Sequence, residues 1–300
     1  MTGFEYARPE SLVELFNLLR THGENARLLS GGTDLLVRLK KDPALAGKPL
    51  VLIDLKRVSG LDARISEIDR HIRIGARAVM TDLIDNKRLR ELFPALIEAA
   101  RVVGSVQIRN RATLAGNVCN ASPAADTAPP LLAHGAILNL VGASGSRQVQ
   151  LHEFFIGPGR TALAPDEIVE SIDLPLPTVP TGGAFGRLTR RHGVDLAIVS
   201  VCCVARESGE VRFAFGAVGP RPFVVTTRRD APLDDVVKGA SPISDLRANA
   251  DYRQAMLAVI ARRTLNAATM RLHESRERRG ASGPPQASGR SGAGGPRDYT

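Results

Sequence analysis

The sequence predicts an α+β chain of two parts that meet near residue 180. Three observations carry this. Up to about residue 175, helix-spaced apolar positions interleave with short strand-like runs; prolines and glycines then cluster in PLPTVPTGG (175–183); beyond it, strand-like runs precede one helical segment. At 300 residues the chain is also long enough for two cores, and its 43% hydrophobic content is that of a chain burying them.

In chain order, PESLVELFNLLR (9–20) spaces Leu12, Leu15, Phe16 and Leu19 helically behind a Ser capping candidate. ARLLSGGTDLLVRLK (26–40) reads as a short strand, a Gly-Gly turn and a stretch of helical character. LVLIDLKRV and HIRIGARAVM read as strands, the second by alternation. TDLIDNKRLRELFPALIEAARVV has long helical periodicity interrupted by Pro94, and QIRNRATLAGNVCNASPAADTAPPLLAHGA (107–136) is rich in turn and loop residues. AILNLVG, RQVQLHEFF and EIVESIDLPLP complete the first part.

In the second part, AFGRLTRRHGVDLAIVSVCCVA, GEVRFAFGAVG and RPFVVT look like strands with one intervening helical turn, followed by helical DLRANADYRQAMLAVIARRTLNAATMRL (245–272). From Ser275 the composition turns to Gly, Ser, Pro and Arg, which predicts a disordered basic tail over 275–300.

The formal charge is +9, of which the tail supplies +3 from five Arg against one Glu and one Asp. The remainder holds no dense Lys/Arg block, and nine Phe, three Tyr and no Trp leave little for base stacking. A weakly basic surface that docks an acidic subunit accounts for the charge without nucleic acid. No apolar stretch approaches the roughly 20 residues of a membrane span, and the N-terminal MTGFEYARPE lacks an apolar signal segment, so a cytoplasmic protein is expected.

Cys119, Cys202 and Cys203 are too few for a disulfide framework or for an iron–sulfur cluster of four thiolates, and Cys202 and Cys203 read as buried strand residues. His71, His134, His152 and His192 lack metal-ligand spacing and read as surface or hydrogen-bonded structural residues. Ser105 and Ser122 have no nucleophile-elbow context.

Two segments make poor core and good phosphate cradles. Leu28-Leu29-Ser30-Gly31-Gly32-Thr33-Asp34-Leu35 has paired glycines that admit positive φ, a row of main-chain N–H groups and a Thr33 hydroxyl. Thr113-Leu114-Ala115-Gly116-Asn117 combines small residues with an amide donor, and Asp126 downstream suits a ribose hydroxyl pair. Either segment alone reads as an ordinary turn or an Asx-rich loop. Together, about 80 residues apart and each behind an apolar segment, they fit a dinucleotide held by two loops. No G-x-G-x-x-G opens a helix after a first strand and no P-loop is present, so Rossmann binding is not indicated.

LLSGGTDLL, QIRNRATLAGNVCNASPAADTAPPLLAHGA, AFGRLTRRHGVDLAIV and FGAVGPRPFVV, in order across residues 4–270, resemble the FAD-binding subunit of the xanthine dehydrogenase and carbon monoxide dehydrogenase family. The resemblance implies a vanillyl-alcohol-oxidase-type (PCMH-type) FAD-binding domain over 1–178 and a small α/β C-terminal domain, antiparallel sheet plus helices, over 182–274. It places Leu28 to Leu35 around the flavin pyrophosphate, and Thr113 and Asn117 at the second phosphate contacts, with Leu114, Ala115 and Gly116 supplying main-chain groups. Asp126 falls near the adenosine end, Val169 beside the flavin, and Arg187 where many relatives have Lys. Ala115 replaces a more usual Gly, and Val103 stands where some relatives are aromatic. No His or Cys lies inside either phosphate loop, so flavin attachment is expected to be non-covalent.

The same resemblance implies an electron relay without substrate chemistry of its own. A molybdopterin-binding large subunit and a [2Fe–2S] small subunit would complete a dimer of heterotrimers, with NAD or a quinone as acceptor. The alternative is a self-sufficient flavin oxidase of the same superfamily, which needs a substrate cap longer than the approximately 90 residues between 182 and 274.

Overall fold

The computed structural model describes residues 3–42, 45, 47–191 and 193–281, with side chains through Glu277. The first 54 residues build a three-stranded parallel sheet from β1 (Phe4–Ala7), β2 (Ala26–Leu29) and β3 (Leu50–Asp54), in the order β1-β3-β2. β3 is apolar except for Asp54 because it is central and buried along its whole length. The crossover α1 (Leu12–His22) starts where the Ser11 hydroxyl accepts the Glu14 N–H, and buries Leu15 and Leu19. α2 (Leu35–Lys41) follows the Ser30–Asp34 turn.

β4 (Ile65–Ile68) and β5 (His71–Gly75) begin a five-stranded antiparallel sheet, ordered β4-β5-β10-β6-β7. The strand expected through Met80 stops at Gly75, and Met80 instead opens a helix. The periodicity over 81–103 resolves into three short helices, α3 (Met80–Asp85), α4 (Lys87–Leu92) and α5 (Pro94–Arg101). Asn86 divides the first two, its side chain accepting the Leu89 N–H, and Pro94 starts the third.

The loop-like segment 107–136 likewise contains helices: α6 (Val106–Arg109), α7 (Leu114–Cys119) and α8 (Ala128–His134). The signals were capping signals. Ser105 and Thr113 cap α6 and α7, Pro129 and Pro130 occupy the first turn of α8, and Gly135 ends it in the left-handed region. Strands β6 (Ile137–Gly142) and β7 (Gly145–Gln150) follow, then α9 (Leu151–Phe154), a ribbon of β8 (Phe155–Gly157) and β9 (Arg160–Thr161), and β10 (Glu167–Pro175) between β5 and β6.

After residue 180 the chain forms a second antiparallel sheet, β11 (Thr181–Leu188), β12 (Val199–Arg206), β13 (Glu210–Gly216) and β14 (Phe223–Arg228), in sequence order. The helical turn expected among these strands is absent from the described residues; α10 (Leu233–Val237) comes after the sheet. α11 (Ala250–Ala281) packs across one face of β11 and β12, while α5 and α8 pack on the other. Both faces are therefore dry. Cys202 joins the core beneath α5 and α8, and Cys203 joins the core beneath α11, as strand alternation requires.

α11 continues to Ala281, past Ser275 where the sequence predicts the tail to begin, and Arg276 bridges Glu207 at 3.0 Å. Residues 275–281 are thus helical, and the rest of the expected tail, like His192, lies outside the described residues.

Candidate functional site

Both phosphate-loop candidates lie on one cavity of about 650 Å³, within the range of sites that enclose small ligands. The first loop leaves the C-terminal end of β2 and the second enters α7. They touch: the Ser30 and Thr113 hydroxyls are 3.2 Å apart. The second loop is anchored by the main chain, with Met80 N–H donating to Ala112 O and Leu114 N–H to Ala78 O.

The paired glycines admit positive φ, and one of the two adopts it. Gly32 does, at φ +76. Gly31 does not; a Cβ built on it would fall on the Arg111 carbonyl oxygen, so Gly31 lets the two loops approach. Among the described residues, the main-chain N–H groups of Gly31, Gly32, Thr33, Asp34 and Ala115 have no protein acceptor. Such unpaired donors around a cavity form a cradle for anionic oxygens.

In α7, the Gly116 N–H is satisfied by Thr113 Oγ1 at 3.1 Å. Asn117 Oδ1 accepts the Thr127 hydroxyl at 2.6 Å, which fixes the amide with its nitrogen directed away from that contact.

Asp126 is buried and pairs with Arg187 on β11, Nη1 to Oδ2 at 2.7 Å. Arg187 also donates to Asp195 O and Gly193 O, each at 3.3 Å, holding the segment between β11 and β12 over the cavity. Burial pushes the Asp126 carboxyl up to about 7 against the opposing pull of Arg187. Its Oδ1 has no partner. A buried carboxylate oxygen on a cavity wall is an acceptor awaiting a hydroxyl or N–H donor.

Of the sequence-predicted residues, Leu28, Ser30 to Leu35, Thr113, Ala115, Gly116, Asn117, Asp126 and Val169 line the cavity, as does Val103. Leu29, Leu114 and Arg187 do not; Leu114 is fully buried beneath the wall, and Arg187 acts through Asp126. The sequence reading missed Arg38, Ala76, Arg191, Val194 and Leu196 on the same wall. Arg38 is one turn beyond the glycine loop on α2, which was a usable signal; the others are brought in by tertiary contacts. Cys119 also lines the cavity, from the last residue of α7 just beyond the second loop, which brings a thiol to the wall although neither loop contains one. Burial pushes its thiol up to about 12, so it is a poor nucleophile at neutral pH.

Residues 2–177 match the model for the FAD binding domain in molybdopterin dehydrogenase. The chain belongs to that family. It is 33% identical over 285 residues to the carbon monoxide dehydrogenase medium chain of Hydrogenophaga pseudoflava, covering 89% of this chain and 98% of that one. It is 30% identical to the xanthine dehydrogenase FAD-binding subunit of Escherichia coli, over 88% and 95% of the two chains. A solved chain of reconstituted CO dehydrogenase from Oligotropha carboxidovorans superposes with a TM-score of 0.83 at 30% identity, over 90% and 99%. The molybdopterin dehydrogenase FAD-domain family thus supplies the α+β fold, FAD as cofactor and the status of an oxidoreductase subunit. The unpaired donors of the two loops and the orphaned Asp126 oxygen fit a diphosphate-linked cofactor bearing hydroxyls.

Proposed function

We propose that the chain is the FAD-carrying electron relay of a molybdenum hydroxylase complex, with residues 1–178 holding the cofactor and residues 182–274 closing its cavity. The observation that carries this reading is the junction of two loops through Ser30 and Thr113 on one cavity wall, with unpaired N–H groups on both loops. Gly31 to Asp34 and Ala115 take the pyrophosphate oxygens. Asn117 adds a side-chain donor, Asp126 accepts a cofactor hydroxyl, and Val169 packs against the ring system. Arg187 keeps Asp126 in place and lends positive charge to that wall.

When bound, FAD supplies the exchange between one-electron transfer with [2Fe–2S] clusters and two-electron transfer to an acceptor such as NAD or a quinone. The clusters belong to a small subunit and the substrate chemistry to a molybdopterin-binding large subunit, in a cytoplasmic dimer of heterotrimers. No helix among the described residues is long and apolar enough to cross a membrane.

Co-expression with a molybdopterin-binding chain and a [2Fe–2S] chain tests the proposal. The expected product contains molybdenum, iron and FAD, and the isolated flavoprotein oxidises no organic substrate. A chain that purifies alone from its host and turns over an organic substrate unaided overturns it.

A further inference from the structure

Arg253, the fourth residue of α11, does not line the cavity, yet two parts of the cavity wall hang from it. Its side chain is almost completely buried, the largest in the described chain to be so. Burying a guanidinium is costly unless its donors find acceptors; the Nε of Arg253 finds none, so its placement rests on the two terminal nitrogens. Here Nη1 donates to Ile198 O at 2.7 Å and Ala217 O at 3.1 Å, and Nη2 donates to Asp245 Oδ1 at 2.7 Å. Asp245 is fixed in turn by the Arg247 side chain, Nη2 at 2.7 Å, and by the N–H groups of Arg247 and Ala248.

Both carbonyl acceptors lead to the cavity. Ile198 ends the segment whose Val194, Asp195 and Leu196 form the cavity lip. Ala217 sits at φ +63, which alanine rarely adopts, and its N–H donates to Pro123 O at 2.7 Å. Pro123 belongs to the wall segment that carries Ser122, Ala124, Ala125 and Asp126. Arg190 ties the lip back to the Asp245 turn, Nη1 to Leu246 O at 3.1 Å. Arg187 bonds the lip and Asp126 directly, whereas Arg253 bonds Ile198 at the end of the lip and reaches the 122–126 wall through Ala217.

We propose that Arg253 is a positioning residue for the FAD cavity, setting the spacing between the 193–198 lip and the 122–126 wall. This rests on the placement of FAD in this cavity. Lys in its place keeps the charge but offers no planar fork to span three acceptors in two directions. Asp245 shares the role, because it orients the fork.

The test uses the full chain stripped of FAD and titrated back with it, reading the dissociation constant and the visible circular dichroism of the bound flavin. Arg253→Lys and Asp245→Asn are compared with Arg271→Met, which cuts the contacts of Arg271 with Glu98 and Gly183 O elsewhere on α11. Arg253→Lys should weaken FAD binding at least tenfold and alter the flavin circular dichroism, Asp245→Asn should shift both the same way, and Arg271→Met should lower the melting temperature while FAD affinity stays within twofold. If Arg253→Lys does not fold, Asp245→Asn decides. The proposal falls if the folded variants keep wild-type affinity, or if Arg271→Met weakens FAD as much as they do. Gly31→Ala separates the two readings: its loss of FAD beside an unaffected Arg253→Lys removes only the positioning role, and retention of FAD by both removes the cavity assignment as well.

Discussion

Asp126 and Arg187, 61 residues apart in sequence, meet at 2.7 Å across the junction of the two parts of the chain, and the carboxylate's other oxygen is left without a partner. The pair couples the FAD-binding unit to the sheet that covers it. Arg187 also holds the lip by two main-chain carbonyls, so the geometry of Asp126 and that of the lip are set together.

This pairing predicts a pH dependence. The folded carboxyl at about 7 lies above its ordinary 3.8 because burial outweighs the guanidinium. Between those values the folded state holds a proton that the unfolded state has lost. The group's contribution to stability is therefore full below 3.8 and declines as pH rises to about 7, by at most about 1.4 kcal/mol per pH unit. Urea unfolding of the apo chain at pH 5 and pH 7.5 should show Asp126→Asn gaining stability relative to wild type at the higher pH. A difference independent of pH contradicts the shift.

His134 predicts the opposite slope. Burial, reinforced by Arg212 and Arg206, lowers it from 6.5 to about 3, and its Nε2 lacks a partner while its ring meets Phe93 edge-on at 4.9 Å. The folded state then binds fewer protons than the unfolded state between pH 6.5 and 3, so stability falls as pH drops through that window, again by at most about 1.4 kcal/mol per unit. His134→Phe should flatten the acid limb of the melting-temperature profile between pH 7 and 5. An unchanged limb assigns the acid sensitivity to other groups.

Much of this was legible in the sequence, and the failures share a cause. The two candidate phosphate loops are visible because glycines, small residues and short polar side chains stand together behind apolar runs. Arg187 and Asp126 were each identified, but their contact was not, since a salt bridge between β11 and a loop 61 residues earlier leaves no local pattern. The helical reading of 81–103 with a break at Pro94 holds, but the division at Asn86 and the helices within 107–136 escape it, because caps such as Asn86, Ser105 and Thr113 serve short helices as readily as turns. Arg253 was invisible in its role: only the fold brings Ile198 O and Ala217 O to one guanidinium.

The two adjacent glycines should respond differently to the same substitution. At Gly32 a methyl group costs mainly backbone strain at φ +76, about 1–2 kcal/mol, because its nearest neighbour is the flexible Leu29 side chain. At Gly31 the methyl group meets the rigid carbonyl of Arg111 and must push the two loops apart. Gly31→Ala should therefore reduce FAD affinity by a factor of ten or more, and Gly32→Ala by less. Equilibrium titration of both apo variants checks the order, and the reverse order would remove the close-approach role from Gly31.

Among the described residues that line the cavity, Cys119 is the one cysteine or histidine, and so the candidate for a covalent link to the flavin. A thiol at about 12 is ionised to roughly one part in ten thousand at pH 8, whereas an ordinary thiol near 8.5 is ionised to about a quarter. Attack on an electrophile needs the thiolate, so Cys119 should react more slowly than a free cysteine, the scarcity of thiolate being only partly offset by the greater nucleophilicity of a high-pKa thiolate. Three results are expected. Acid precipitation releases the yellow chromophore into the supernatant. Iodoacetamide at pH 8, followed by peptide mass mapping, labels Cys119 far more slowly than a free cysteine, and more slowly still with FAD bound. Cys119→Ser keeps its FAD. Flavin that remains with the precipitated chain, and is lost from it in Cys119→Ser, would show that the cavity lowers the thiol rather than raising it and that the cofactor is tethered there.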